Sequence, residues 1–269
     1  MRIWIAAAGA ALMAAATPRP AVAQQHQEGP TPPGARWAVH SWERPRPPVV
    51  APGPERGPVP PPADAIVLFD GHTLNGWETA PDSGQPATPA RWIARNGVLE
   101  INPGTGSIRT TRAFGDVQLH IEWSAPTPPH GESQERGNSG VFLMSHYEIQ
   151  VLDSWHNDTY PDGQAGAIFG QTPPLVNPIR PPGQWNTYDV IFHRPHFAPD
   201  GSVTEPARIT LFFNGVLAQD NTVLTGRTVY MQIARYTPHE DRLPLLLQDH
   251  GMRVRFRDIW VRELPDSLP

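Results

Sequence analysis

Residues 147 to 155 read YEIQVLDSW, two carboxylates flanking an amide in a run with strand character. In a regular strand Glu148 and Gln150 share one face, and Asp153, five residues after Glu148, lies on the other. A bulge between Gln150 and Asp153 would bring all three to one side, giving a rigid sheet two carboxyls for acid and base work on a sugar. The bland alternative is that Asp153 caps a turn and Glu148 is a solvated strand residue. Two more polar clusters stand at strand ends: Gly137-Asn138-Ser139-Gly140, and LQDHG, which carries Gln248, Asp249 and His250. Such clusters on a sandwich converge on one rim. Asp249 and His250 are therefore candidate catalytic groups, and Asn138, Gln150 and Gln248 candidate partners for sugar hydroxyls.

The residue inventory narrows the chemistry further. The 269 residues include 21 Lys plus Arg, every one of them Arg, and no Cys. Lysine Schiff bases, thiolate nucleophiles, disulfides and thiolate metal sites are excluded. With 26 Asp plus Glu the net charge is −5, and the acidic excess lies after residue 63. A polyanion such as nucleic acid is a poor match, and a neutral substrate suits better. Glu148, Asp153, Asp249 and His250 are hard enough to hold a divalent metal, but no spacing among them is diagnostic, so the metal question stays open.

These groups need a scaffold, and 34 Pro and 23 Gly with only 17% charged residues favour a turn-rich, all-β one. Strand-like runs fall at 66–69, 98–101, 117–124, 140–144, 147–152, 188–194, 207–213, 245–248 and 254–262, which predicts a two-sheet sandwich. The run 117–124 alternates most cleanly, with Val117, Leu119, Ile121 and Trp123 on the core side. Gln118, His120, Glu122 and Ser124 face the other way, onto open sheet or the floor of a polar cleft. Residues 155–184, rich in Gly, Pro and Asn, are long for a connection and read as a loop walling a site.

Ahead of the domain, residues 1–23 read as a secretory signal: Arg2, an apolar stretch from Ile3 to Ala16, and an Ala21-Val22-Ala23 cleavage site. This predicts a periplasmic or secreted bacterial protein with no membrane span after cleavage. Residues 24–63 are dominated by proline and predict a disordered or extended linker, dispensable for folding, with Trp37 and Trp42 its large apolar anchors. The domain proper is expected over 64–269.

In order along the chain, IVLFDGHTLNGW, GNSGVFL, YEIQVLDSW, GAIFGQTPPLVNP, PPGQWNTYDVIF, FFNGVLAQD and LQDHGMRVRFRDIWVREL resemble the 3-keto-disaccharide hydrolase domain family over about Ile66 to Leu264. The resemblance implies a concanavalin A-like jelly-roll sandwich acting on glycosides whose C3 hydroxyl is oxidised to a ketone. The family usually has Gly-Glu-Trp-Asn where this chain has Gly183-Gln184-Trp185-Asn186, so residue 184 supplies no carboxylate here. It often has Lys near Arg180, a change of geometry at constant charge. The insertion 193–206 points to a longer-loop subgroup.

A C3 ketone acidifies the C2 hydrogen, so a base can form an enolate that expels the C1 oxygen, after which water adds back. That chemistry needs a base near C2, a donor to the C3 oxygen and an acid for the leaving oxygen. The assignment that follows is Glu148 or His250 as base, Asp153 or Asp249 as acid, and Gln150, Asn138 or Arg180 at the oxyanion and hydroxyls. Glu122, Gln171, Trp185 and Gln248 are further substrate-binding candidates. No flavin or nucleotide motif is present, so a separate sugar 3-dehydrogenase is expected to supply the substrate. Two other readings stand beside this one: a retaining glycosidase using Glu148 and Asp153, and a non-catalytic lectin-like module stacking sugars on Trp155 or Trp185.

Overall fold

The computed structural model describes residues 26–55, 57, 59–81 and 85–265, so the signal segment 1–23 lies outside the described residues. Among the described residues there are fifteen strands: β1 (Ile66–Val67), β2 (Trp77–Thr79), β3 (Ile93–Arg95), β4 (Val98–Glu100), β5 (Ile108–Phe114), β6 (Val117–Ser124), β7 (Ser139–Leu143), β8 (Tyr147–Val151), β9 (Asn186–His193), β10 (His196–Phe197), β11 (Val203–Glu205), β12 (Arg208–Phe213), β13 (Val216–Val223), β14 (Leu243–Leu247) and β15 (Arg255–Glu263). One sheet runs β13-β12-β9-β6-β15-β4-β3, with β1 also on β15, and a five-stranded sheet runs β2-β5-β14-β7-β8. Their pairings are antiparallel. The insertion 193–206 forms the small β10-β11 hairpin.

The sheets pack face to face over one apolar core. Period-two alternation puts Leu119, Ile121 and Trp123 of β6 inside with zero exposure. Trp123 packs edge-on to Tyr188, ring centroids 5.6 Å apart, and near Phe213 at 6.1 Å. Truncating such a side chain costs about 3–5 kcal/mol. The other faces of β6 and β8 point out of the sandwich on opposite sides, a separation that decides which polar residues can work together. Among the described residues no helix is long and apolar enough to cross a membrane.

The described part of the proline-rich segment turns at 33–34, 39–40 and 42–43, and it does not hang free. Val49 pairs in parallel with Asn177, and Val39, His40 and Ser41 are buried. Asp162, itself buried, accepts the His40 backbone N–H at 3.0 Å and lies 3.4 Å from His40 Nδ1. The His40 imidazole sits among Tyr160, Phe169 and Tyr230, with centroids 4.1, 4.8 and 5.6 Å away. Composition suggested a segment unable to bury surface, but a few residues with a polar partner at depth are enough to seat it. His40→Ala would leave a cavity and strip a partner from a buried carboxylate. The expected loss is about 2–4 kcal/mol, a fall in Tm of roughly 4–16 °C for a domain this size. An unchanged melting curve would mean that the segment is undocked in solution.

Candidate active site

Strand β8 carries the recessed group. Its residues Tyr147, Ile149 and Val151 face the core, which turns Glu148 and Gln150 to the outer side of the five-stranded sheet. The register is regular: Gln150 lies beside Gly140 and Glu148 beside Phe142. Leu246 of β14 pairs with Phe142, and Gln248 N donates to Gly140 O at 3.0 Å, so Gln150, Gly140 and Gln248 form one row across three strands. The sheet is extended past β8 by residues 166–169. Gln150 N donates to Ala167 O at 3.0 Å and Phe169 N to Glu148 O at 3.2 Å, so β8 is no bare edge.

Glycine at 140 is what gives the carboxyl its place. A Cβ there would stand 2.5 Å from Glu148 Oε1 and 2.7 Å from the Phe142 ring. Glu148 itself is 4% exposed. Burial alone pushes its pKa up from the ordinary carboxylate range to about 8. Its protonation is thereby poised close to neutrality, where a general base or acid works best. Tyr160 lies near enough to feel its charge.

The Gln150 amide bridges Glu148 to a second polar cluster. Its nitrogen donates to Glu148 Oε1 and to Ser139 O, each at 3.1 Å, which presents a donor to an ionised Glu148, and its oxygen faces Gln134 and Asn138. Asn138 is held by its own Nδ2, which donates to Gln134 O at 2.7 Å.

The other expected site residues divide into three groups. Asp153 does not join Glu148, because β8 ends at Val151 without a bulge and the chain turns away. Its Oδ2 accepts from Arg136 Nε at 2.7 Å and its Oδ1 from Trp155 N at 3.1 Å. Burial raises its pKa, with the Arg136 bond opposing. Asp249 accepts backbone N–H groups from Gly104, Gly106 and Gly251 at 2.8–3.1 Å, which makes it a loop clamp, while His250 is exposed beside it. Gln171 is likewise engaged, donating to Gly226 O and accepting from Thr225 N. Glu122, Arg180 and Trp185 lie on the far side of the molecule, over the outer face of the larger sheet. Among the described residues no three His, Asp or Glu side chains converge as a metal site. Glu148 and Asp153 bond apart from each other and from the Asp249–His250 pair.

Sequence reasoning missed Gln134, Tyr160, Asp162 and His40 around this site. None sits on a strand, and no periodicity marks a loop residue that packs at long range. The fold is an antiparallel β-sandwich with polar groups displayed on its outer faces.

Within that class the assignment is specific. The model of the 3-keto-alpha-glucoside-1,2-lyase-like domain matches residues 64–262, most of the chain, and the chain belongs to that family. A 3-keto-disaccharide hydrolase of Bacteroides thetaiotaomicron is 24% identical over 247 residues, 76% of this chain and 80% of that protein. The solved structure of a Parabacteroides distasonis protein assigned as a glycosyl hydrolase is 43% identical, with a TM-score of 0.73 over 82% of this chain and 93% of the other. A second structure from that organism, 17% identical with a TM-score of 0.54, shares the fold.

Proposed function

We propose that this chain cleaves 3-keto-glycosides by elimination, with Glu148 as the base that removes the C2 proton. The observation that carries this reading is a recessed carboxyl on the outer face of the five-stranded sheet, raised to about 8 by burial and met by the donor side of the Gln150 amide. Family membership and the Bacteroides thetaiotaomicron relative supply the substrate class.

The steps balance without an added reagent. Ionised Glu148 takes the C2 hydrogen, the electron pair moves into a C2–C3 enolate, and the enolate expels the C1 oxygen to leave a C1–C2 double bond conjugated to the ketone. Protonated Glu148 can then supply the proton that the departing oxygen needs. Water adds at C1 and a proton at C2, giving the free 3-keto sugar. Gln248, part-exposed in the same row, would donate to a sugar oxygen, and a donor at C3 stabilises the enolate most. The C3 ketone must come from a separate sugar 3-dehydrogenase.

The direct glycosidase reading needs two facing carboxyls about 5–5.5 Å apart. Asp153 is bound to Arg136 and off the Glu148 face, which disfavours that scheme. Mass spectrometry of purified protein with a 3-keto-glucoside and, in parallel, the unoxidised glucoside tests the proposal. Only the keto substrate should be cleaved. Equal cleavage of both would mean chemistry confined to C1, and cleavage of neither a binding module.

A further inference from the structure

The outer face of the larger sheet holds a cavity of about 660 Å³, remote from Glu148. Its floor is built from His120 and Glu122 of β6, Asp189 of β9 and Trp260 of β15, with Arg180 and Trp185 also lining it. Gly53, Pro54, Glu55, Val59, Pro60 and Pro62 of the proline-rich segment contribute to its wall, and the Arg180 guanidinium donates to Gly53 O at 2.7 Å. The two sheets stand between this cavity and the face that carries Glu148.

The floor is preorganised. His120 Nδ1 lies 2.6 Å from Asp189 Oδ1, and the imidazole stacks on Trp260 with centroids 5.0 Å apart at 9°. Arg257 Nε donates to Glu122 Oε2 at 2.6 Å, and the Arg257 guanidinium lies 4.2 Å from the centre of the Trp185 ring. Three polar atoms on residues lining this cavity are buried without a protein partner: His120 Nε2, the Trp260 indole Nε1 and Arg180 Nε.

The charges identify the ligand class. Glu55, Glu122 and Asp189 outnumber the Arg180 and Arg257 guanidinium groups by one, which disfavours an anion. The half-buried Trp185 ring beside these polar groups suits a neutral polyhydroxylated molecule, whose C–H face can pack on the indole. The volume lies within the range of small-molecule pockets. We infer that this cleft is a second carbohydrate site, taking one or two residues of a neutral glycan on the side of the sandwich opposite Glu148. It would hold the protein on a glycan without taking part in bond cleavage.

The test is NMR of the mature chain, following the Trp260 indole N–H, assigned with Trp260→Phe, during titration with maltotetraose, cellotetraose and laminaritetraose. At least one should shift that resonance saturably, and inorganic phosphate should not. Trp185→Ala should weaken the binding about tenfold or more, the loss of one aromatic platform, and Trp185→Phe should restore much of it. Turnover of a small 3-keto-glucoside should stay within about twofold of wild type in both variants, since Trp185 is outside the Glu148 site. Loss of turnover in Trp185→Ala with binding intact would overturn the separation of the sites. No indole shift with any oligosaccharide, or a shift with phosphate alone, would overturn the carbohydrate site and leave the Glu148 chemistry untouched.

Discussion

Glu148→Gln is expected to lower turnover of a 3-keto-glucoside roughly 100-fold or more while making the folded protein more stable above neutral pH. Both effects come from one group. In the folded chain Glu148 holds its proton to about pH 8, whereas in the unfolded chain it ionises near 4.5. Below 4.5 the two states bind that proton equally. Between 4.5 and 8 only the folded state keeps it, so this group's contribution to stability falls by up to about 1.4 kcal/mol per pH unit and levels off above 8. Glutamine copies the neutral form and removes that slope. Denaturant midpoints of the two proteins from pH 5 to 9 should therefore diverge as pH rises, with the variant the more stable. Near-wild-type turnover would take Glu148 out of the chemistry, and parallel pH curves would show that its carboxyl is hydrated.

The second large effect is expected at a residue that has no side chain. Gly140→Ala introduces a methyl group 2.5 Å from Glu148 Oε1 and 2.7 Å from Phe142, so the carboxyl or the strand must shift. A displacement of about 1 Å at a reacting group can cost roughly 100-fold. The loss should fall mainly on kcat, because the Gln248 amide that holds the sugar remains. Stability should fall by about 1–3 kcal/mol, as for other overpacked sites. Turnover within twofold of wild type would mean that the Glu148 carboxyl does not act from this position.

Much of the sandwich was legible because its inner strands alternate strictly. β6 was predicted over the residues it occupies, and β7, β8, β9, β12 and β15 to within a few residues. β5 and β13 were not foreseen. β5 carries Arg109, Thr111 and Arg112 among its apolar residues, and β13 runs into Gln219, Asp220 and Asn221 at the sheet margin. At the site, period two correctly put Glu148 and Gln150 on one face. The same rule could not say which sheet β6 and β8 would join, and so it gathered Glu122, Arg180 and Trp185 into a site that the sandwich divides between opposite surfaces. Asp153 and Asp249 bond away from Glu148 for another reason: an aspartate after a strand is as well suited to accepting backbone N–H groups as to catalysis, and sequence does not distinguish the two. The burial of His40 depends on a partner 122 residues away and leaves no local signal.

The elimination itself is tested most directly by running the reaction in D₂O and locating deuterium in the product by NMR. Hydration of the C1–C2 double bond should place solvent deuterium at C2, faster than in an enzyme-free control that measures spontaneous enolisation of the free 3-keto sugar, and the enzyme-dependent part should vanish in Glu148→Gln. Cleavage of the keto substrate at the wild-type rate with no enzyme-dependent label at C2 would contradict the account, since bond breaking would then have left C2 untouched.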